Sequence, residues 1–177
     1  MKEEIIISGF GGQGIVLAGS LLANAAIEDE LETCGMVSYG AEMRGGAASA
    51  TVTISSEKIG SPVVVKPDSA LILNQISLEK FENDIKKGGL LILNISECSK
   101  RPSRKDITVI EVEATKNAEK LGNKKAANMV MIGAYLKNKK ILNIESVLKN
   151  VKKVLPKADD NLLQLNKEAL LIGYGEI

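Results

Sequence analysis

Histidine is absent from the 177 residues, and cysteine occurs only twice, as Cys34 and Cys98. Without histidine the chain has no imidazole to act as a base near neutral pH or to ligate a metal. Two cysteines so far apart form no C-x-x-C pair. One chain therefore supplies neither the four thiolates of an iron–sulfur cluster nor a Cys₂His₂ zinc site. No apolar stretch is long enough to span a bilayer. The formal net charge is only +1, whereas a nucleic-acid binder needs a clustered basic surface. Neither a membrane nor a nucleic acid is an expected partner. Isolated thiols, and a strand-like run that starts without a basic-then-apolar leader, lead us to expect a cytoplasmic protein.

The charge that is present is uneven. Residues 1–99 hold 7 of the 23 Lys/Arg and 13 of the 22 Asp/Glu. Solvated helix faces are the plain explanation, although such asymmetry can also steer a partner protein. A hydrophobic content of 45% is enough for a sizeable core, and the length suits one domain spanning residues 1–177.

Short β-branched runs alternate with Ala/Leu-rich helical patterns. Strands are expected at residues 5–8, 35–38, 47–55, 70–73, 90–94 and 107–112. Helices are expected at residues 15–27, 78–87 (capped by Ser77), 126–137, around 144–155, and from a cap at Asp160 to near Gly173, with a short one capped by Thr115. Met129, Ile132, Gly133 and Leu136 share one face of the helix at residues 126–137. Residues 59–65 form another extended piece, joined to residues 47–55 by a tight turn, which suggests an antiparallel hairpin. The expected fold is α/β: a three-layer α/β/α sandwich on a mostly parallel sheet with an antiparallel hairpin.

Gly9, Gly11 and Gly14 match G-x-G-x-x-G between a strand and a helix. The first glycine permits a tight turn, the second lets a phosphate approach backbone N–H groups, and the third lets helix and strand pack closely. The helix start adds free donors and a positive dipole end. A dinucleotide site also needs an acid at the end of the second strand. Residues 33–38 hold none, and Glu32 lies at the wrong end. Two readings of the loop remain open: a different phosphate ligand, or a tight turn that binds nothing.

Gly9-Phe10-Gly11-Gly12-Gln13-Gly14, followed by the Ala/Leu helix, resembles the opening of the gamma subunit, or domain III, of 2-oxoacid:ferredoxin oxidoreductases. Tyr39-Gly40-Ala41-Glu42-Met43-Arg44-Gly45-Gly46 is similar to that family's second signature, with Ala41 where a proline is common. Ala127-Asn128-Met129-Val130 is similar to a third. Glu42 to Gly46, Ile59-Gly60-Ser61-Pro62 and Asn74-Gln75 look most like 2-oxoglutarate enzymes, with pyruvate, branched-chain and aryl 2-oxoacid enzymes as close alternatives. A stand-alone nucleotide-binding module is the alternative from another class.

The resemblance implies a multi-subunit enzyme. Thiamine diphosphate attacks the 2-oxoacid and carbon dioxide leaves. Electrons pass through iron–sulfur clusters to ferredoxin, and the acyl group goes to coenzyme A. Thiamine diphosphate and the clusters belong to partner chains (alpha, beta and a ferredoxin-like delta), so no catalytic residue and no metal ligand is expected here. This chain is expected to be inactive alone and to act as a scaffold. Its cofactor contact would be to coenzyme A, through Gly9, Gly11, Gly12, Gln13 and Gly14 with Arg44, Gly45 and Gly46. Each has a plainer alternative. Gln13 could meet a phosphate or only cap the helix. Arg44 could grip a carboxylate or phosphate bidentately, or pair with Glu42 or a partner chain. Gly45 and Gly46 could admit a ligand or only make a turn. Tyr39 fits an interface, and Asn128 a structural bond to the glycine loop or a strand.

Overall fold

The computed structural model describes residues 1–39 and 47–175. Its centre is a six-stranded sheet built from β1 (Lys2–Phe10), β2 (Glu32–Tyr39), β3 (Ala47–Ser55), β4 (Ser69–Ile72), β5 (Leu90–Asn94) and β6 (Thr108–Val112), in the order β2-β3-β1-β4-β5-β6. β1, β4, β5 and β6 run parallel to their neighbours in that series, while β3 is antiparallel to both β1 and β2. Among the described residues, six helices pack around the sheet: α1 (Ile15–Glu28), α2 (Gln75–Phe81), α3 (Ala114–Lys120), α4 (Ala127–Asn138), α5 (Ile144–Val154) and α6 (Asp160–Tyr174).

The central strands are buried on both faces, so they read as continuous apolar runs that alternate which side they serve. Ile5, Ile7, Leu71, Leu90 and Ile92 point to a large core shared with α1 and α3 to α6. Ile6, Ala70, Ile72, Leu91 and Leu93 point to a smaller core under Leu78 and Phe81 of α2. The three expected layers are present but lopsided, with five helices on one face and α2 with a short 3₁₀ turn on the other.

Three expectations on local structure need correction. Residues 59–65 form no strand, and β3 finds its antiparallel partners in β1 and β2 instead. Pro62 cannot donate to a ladder and Gly60 weakens one, which overrides the β-branched valines beside them. The caps also shift. Asn74 rather than Ser77 caps α2, its Oδ1 accepting from the Ser77 N–H at 2.9 Å. Asp159 rather than Asp160 caps α6, accepting from the Leu162 N–H at 2.8 Å. Thr115 caps nothing; it is an acceptor within the core, as described below. Finally, α4 is buried all round from Ala127 to Leu136, not on one stripe, because it lies between the sheet and α6.

The end of the sheet where β1 begins is tied shut by charge. Lys86 Nζ bridges Glu4 at 2.9 Å and Asp68 at 2.8 Å. Hydrogen bonds from Lys2 and Lys86 hold the Glu4 carboxyl below its ordinary range against the opposing effect of burial. The opposite end is open.

Candidate functional site

α1 leaves the end of β1 on one face of the sheet, and α2 leaves the adjacent, parallel β4 on the other. Chains that part in this way leave a crevice beyond the strand ends, where open α/β sheets bind ligands. The crevice lies between the Phe10–Gly14 loop and the Leu73-Asn74 turn. Its two lips are joined by the Gln13 side chain, whose Oε1 accepts from the Phe10 N–H at 2.6 Å and from Asn74 Nδ2 at 3.3 Å.

The glycines divide by role. Gly9 is packed: a Cβ there would meet Gln13 Oε1 at 2.5 Å and Leu73 Cβ at 3.0 Å. Gly14 is the α1 N-cap in a left-handed conformation, φ 71°, and a Cβ would collide with Asn128 Nδ2. Asn128 donates to the Gly14 carbonyl at 3.0 Å, which ties α4 to the loop. Gly11 and Gly12 are different. A Cβ at either would have nothing within 4 Å. Among the described residues, the N–H groups of Gly11, Gly12 and Gly14 have no protein acceptor. Exposed donors at a helix start form an anion-binding concavity.

The cleft above Gly11 and Gly12 has a volume of about 340 Å³. Phe10, Gln13, Glu97, Thr115, Lys124, Lys125 and Ala127 complete its lining. Neither lysine is ion-paired among the described residues, so two lysines and one glutamate contribute net positive charge to the lining. A neighbouring cavity of about 230 Å³ shares Gly12 and Lys125 and runs under Gly14 toward Asn166. Free N–H donors, two cations and one acid suit an anionic, phosphate-sized group.

A buried amide ladder supports the floor. Asn94, at the end of β5, donates to the Leu73 carbonyl at 3.2 Å and to Thr115 Oγ1 at 3.0 Å. Asn74 and Asn94 are both buried. Removing such a partner leaves the others unsatisfied at about 1–3 kcal/mol. Asn94→Ala should therefore lower the stability of the chain by about 2 kcal/mol, read as a shift in the denaturant midpoint at unchanged slope. An unchanged midpoint would mean the ladder holds nothing.

Of the residues expected at the site, Gly11, Gly12 and Gln13 line the cleft, Gly9 lies packed beside it and Gly14 begins the helix. Arg44, Gly45 and Gly46 lie outside the described residues. Sequence reasoning missed Asn94, Lys124, Lys125 and Glu97. A signal for the asparagines was available: Leu-Ile-Leu-Asn occurs twice, at residues 71–74 and 91–94, each time ending a buried strand with an amide. The lysines come to the cleft through a 3₁₀ turn that no periodicity reveals.

The topology also counts against the dinucleotide reading. A ribose-binding acid would stand at the end of the strand beside β1. That neighbour is the antiparallel β3, which sets Ala47 and Ala48 opposite Phe10 and Gly9. Among the described residues, no group of three or more Cys, Asp or Glu is placed to hold a metal ion. No helix among them is long and apolar enough to cross a membrane.

Comparison with known proteins gives a consistent result. Residues 4–176 match the family described as pyruvate ferredoxin/flavodoxin oxidoreductase. The 2-oxoglutarate synthase subunit KorC of Methanocaldococcus jannaschii is 39% identical, over 94% of this chain and 92% of that one. The ketoisovalerate oxidoreductase subunit VorA of Methanothermobacter thermautotrophicus is 40% identical over 76% of this chain, a match that takes up 28% of a longer polypeptide. The crystal structure of a keto/oxoacid ferredoxin oxidoreductase gamma subunit from Geobacter sulfurreducens superposes with a TM-score of 0.85 at 30% identity, covering 98% of this chain and 97% of that one.

Proposed function

The chain belongs to the pyruvate ferredoxin/flavodoxin oxidoreductase family, and within it we propose that this is the gamma subunit of a 2-oxoglutarate:ferredoxin oxidoreductase whose glycine-loop cleft receives the phosphates of coenzyme A. The observation that carries the cleft assignment is the pair of free N–H donors at Gly11 and Gly12, which line one cleft with Lys124 and Lys125. The substrate assignment rests on end-to-end likeness to KorC chains of two methanogens.

Thiamine diphosphate and iron–sulfur clusters belong on this reading to other chains, and a cluster does not fit the residues of this one. With two cysteines and no histidine it has no ligand set for a cluster. Those groups are assigned to alpha, beta and ferredoxin-like delta partners, and the acceptor beyond them is ferredoxin. The role of this chain is then to hold the carrier. Backbone donors and lysines grip the phosphates, which fixes where the thiol end can reach. Separate, unpaired thiols suit a reducing cytoplasm.

The VorA likeness supports a second reading, in which the 2-oxoacid is branched-chain rather than 2-oxoglutarate. One experiment separates them. The complex recovered through this chain is assayed for ferredoxin reduction with 2-oxoglutarate, pyruvate and 2-oxoisovalerate. We expect kcat/KM for 2-oxoglutarate to exceed the others at least tenfold, and the isolated chain to show no turnover. A preference for 2-oxoisovalerate would replace the first reading with the second. Recovery of this chain without partners would remove both.

A further inference from the structure

Glutamine and threonine side chains can each donate or accept a hydrogen bond. One of each lines the glycine-loop cleft, Gln13 and Thr115. Two buried asparagines behind them remove the choice. Gln13 Oε1 accepts from the Phe10 N–H at 2.6 Å and from Asn74 Nδ2 at 3.3 Å. Asn74 cannot reverse its amide, because its Oδ1 is held by the Ser77 N–H at 2.9 Å, where it caps α2. A main-chain donor thus stands at each end of the pair and fixes both amides. With Oε1 taken, Gln13 has only its Nε2 donors left for the cleft, and they meet no acceptor among the described residues.

Thr115 is fixed in the same way. Asn94 Oδ1 accepts from two main-chain donors, the Ser96 N–H at 3.3 Å and the Thr115 N–H at 3.4 Å. That turns Asn94 Nδ2 toward the Leu73 carbonyl and Thr115 Oγ1. Because Oγ1 accepts there, the Thr115 hydroxyl proton points away from Asn94, on a side chain that lines the cleft. It has no acceptor among the described residues.

Neither asparagine lines the cleft itself, and both are buried. They end the two copies of Leu-Ile-Leu-Asn. Leu71 and Leu91 open those copies, yet Leu71 pairs with Ile92 across β4 and β5. The copies are therefore one residue out of register, which sends corresponding side chains to opposite faces of the sheet. Leu71 accordingly serves the large core and Leu91 the small one. The amides divide likewise, Asn74 to the α2 side and Asn94 to Thr115 of α3, so the crevice is braced from both faces.

We propose that Asn74 and Asn94 are positioning residues, each locking one ambivalent side chain, Gln13 or Thr115, as a donor toward the ligand. The proposal rests on the coenzyme A reading above and adds the reason the cleft selects a phosphate. Its polar side chains then offer donors and cations, with Glu97 as the one exception among the described residues. A deprotonated phosphate oxygen only accepts, so it is matched by every one of those donors. A hydroxyl or amide would leave its own proton facing them. Amides fixed before the ligand arrives also spare the cost of ordering them on binding.

Equilibrium dialysis of coenzyme A against the complex recovered through this chain, without 2-oxoacid so that nothing turns over, tests this. Gln13→Glu keeps an oxygen for Phe10 and Asn74 but puts a carboxylate oxygen where Nε2 stood. We expect its Kd to rise at least tenfold, the worth of one hydrogen bond to a charged group. Asn74→Asp keeps the α2 cap but withdraws the Nδ2 donor, so Gln13 turns to donate to it and shows the cleft its oxygen. Kd should rise at least fivefold, although residue 74 does not touch the ligand. Thr115→Val should bind more weakly than Thr115→Ser, which retains the hydroxyl. Gln13 lies half-buried on the loop, so its variant keeps the test open should Asn74→Asp fail to fold. Gly11→Leu, which fills the cleft, is the reference. Parent-like binding by Gln13→Glu, or by a folded Asn74→Asp, beside weak binding by Gly11→Leu overturns the proposal and leaves the coenzyme A reading standing. Parent-like binding by all of them, Gly11→Leu included, removes that reading and the proposal with it.

Discussion

Gly11→Leu should raise the KM of the assembled enzyme for coenzyme A at least tenfold while kcat and the stability of the chain hardly move. Gly11 has an ordinary backbone conformation and nothing within 4 Å of a built Cβ, so the protein itself does not resist a side chain there. Surface changes of that kind cost within about 0.5 kcal/mol. The added isobutyl group would stand in the 340 Å³ cleft where the proposed phosphates sit. It would block the approach of a phosphate to the Gly11 and Gly12 N–H groups, and losing about 1.4 kcal/mol of binding is a tenfold change. Because bond-making is assigned to partner chains, the loss should appear in KM and not in kcat. Neighbouring positions do not give so clean a test. Gly12 has φ +91°, so a side chain there strains the backbone, and Gly14 would collide with Asn128. An unchanged KM for coenzyme A with Gly11→Leu would return the glycine loop to the status of a tight turn.

Much of this arrangement is legible in the sequence, for physical reasons that differ by element. β3 and β5 are read to the residue because a β-branched alternation in the first and an apolar run in the second are each bounded by turn residues. The G-x-G-x-x-G loop is read because its glycines are separately required, two for packing and two for openness, and those needs are local. The α2 cap is misplaced by three residues because Ser77 and Asn74 both have capping chemistry. What decides between them is the long-range bond of Ser77 to Ser8 at 2.9 Å, which no local pattern contains. β2 and β3 are visible as strands, yet the insertion of β3 between β1 and β2 is a matter of topology. That insertion, more than the missing acid, is what separates this cleft from a dinucleotide site. Lys124 and Lys125 lie 110 residues or more from the loop they face, and only the packing of α4 against Gly14 brings them there.

That packing rests in turn on the crossing of α4 and α6, and Gly133→Val should be the most destabilising single change in the chain. A Cβ at Gly133 would run into the Leu170 carbonyl and lie 2.7 Å from the Tyr174 N, and one at Gly173 would run into the Val130 carbonyl. The two helices thus touch backbone to backbone, glycine facing glycine. The obstructing atoms are main chain, so no rotamer change relieves the overlap. Overpacking a core that can adjust costs about 1–3 kcal/mol; here α6 must move away as a unit, and we expect at least the upper end of that range. For a chain of this size about 3 kcal/mol corresponds to a Tm lower by roughly 6–12 °C. The damage should also travel. α6 covers α4, α4 holds the Gly14 carbonyl through Asn128, and Gly14 sets the start of α1 beside the cleft. Coenzyme A dependence should therefore deteriorate along with stability in Gly133→Val, whereas Gly11→Leu separates the two. A Tm within 2 °C of the parent for Gly133→Val would show that the crossing has slack, and that the cleft is held in place by something other than the α4–α6 contact.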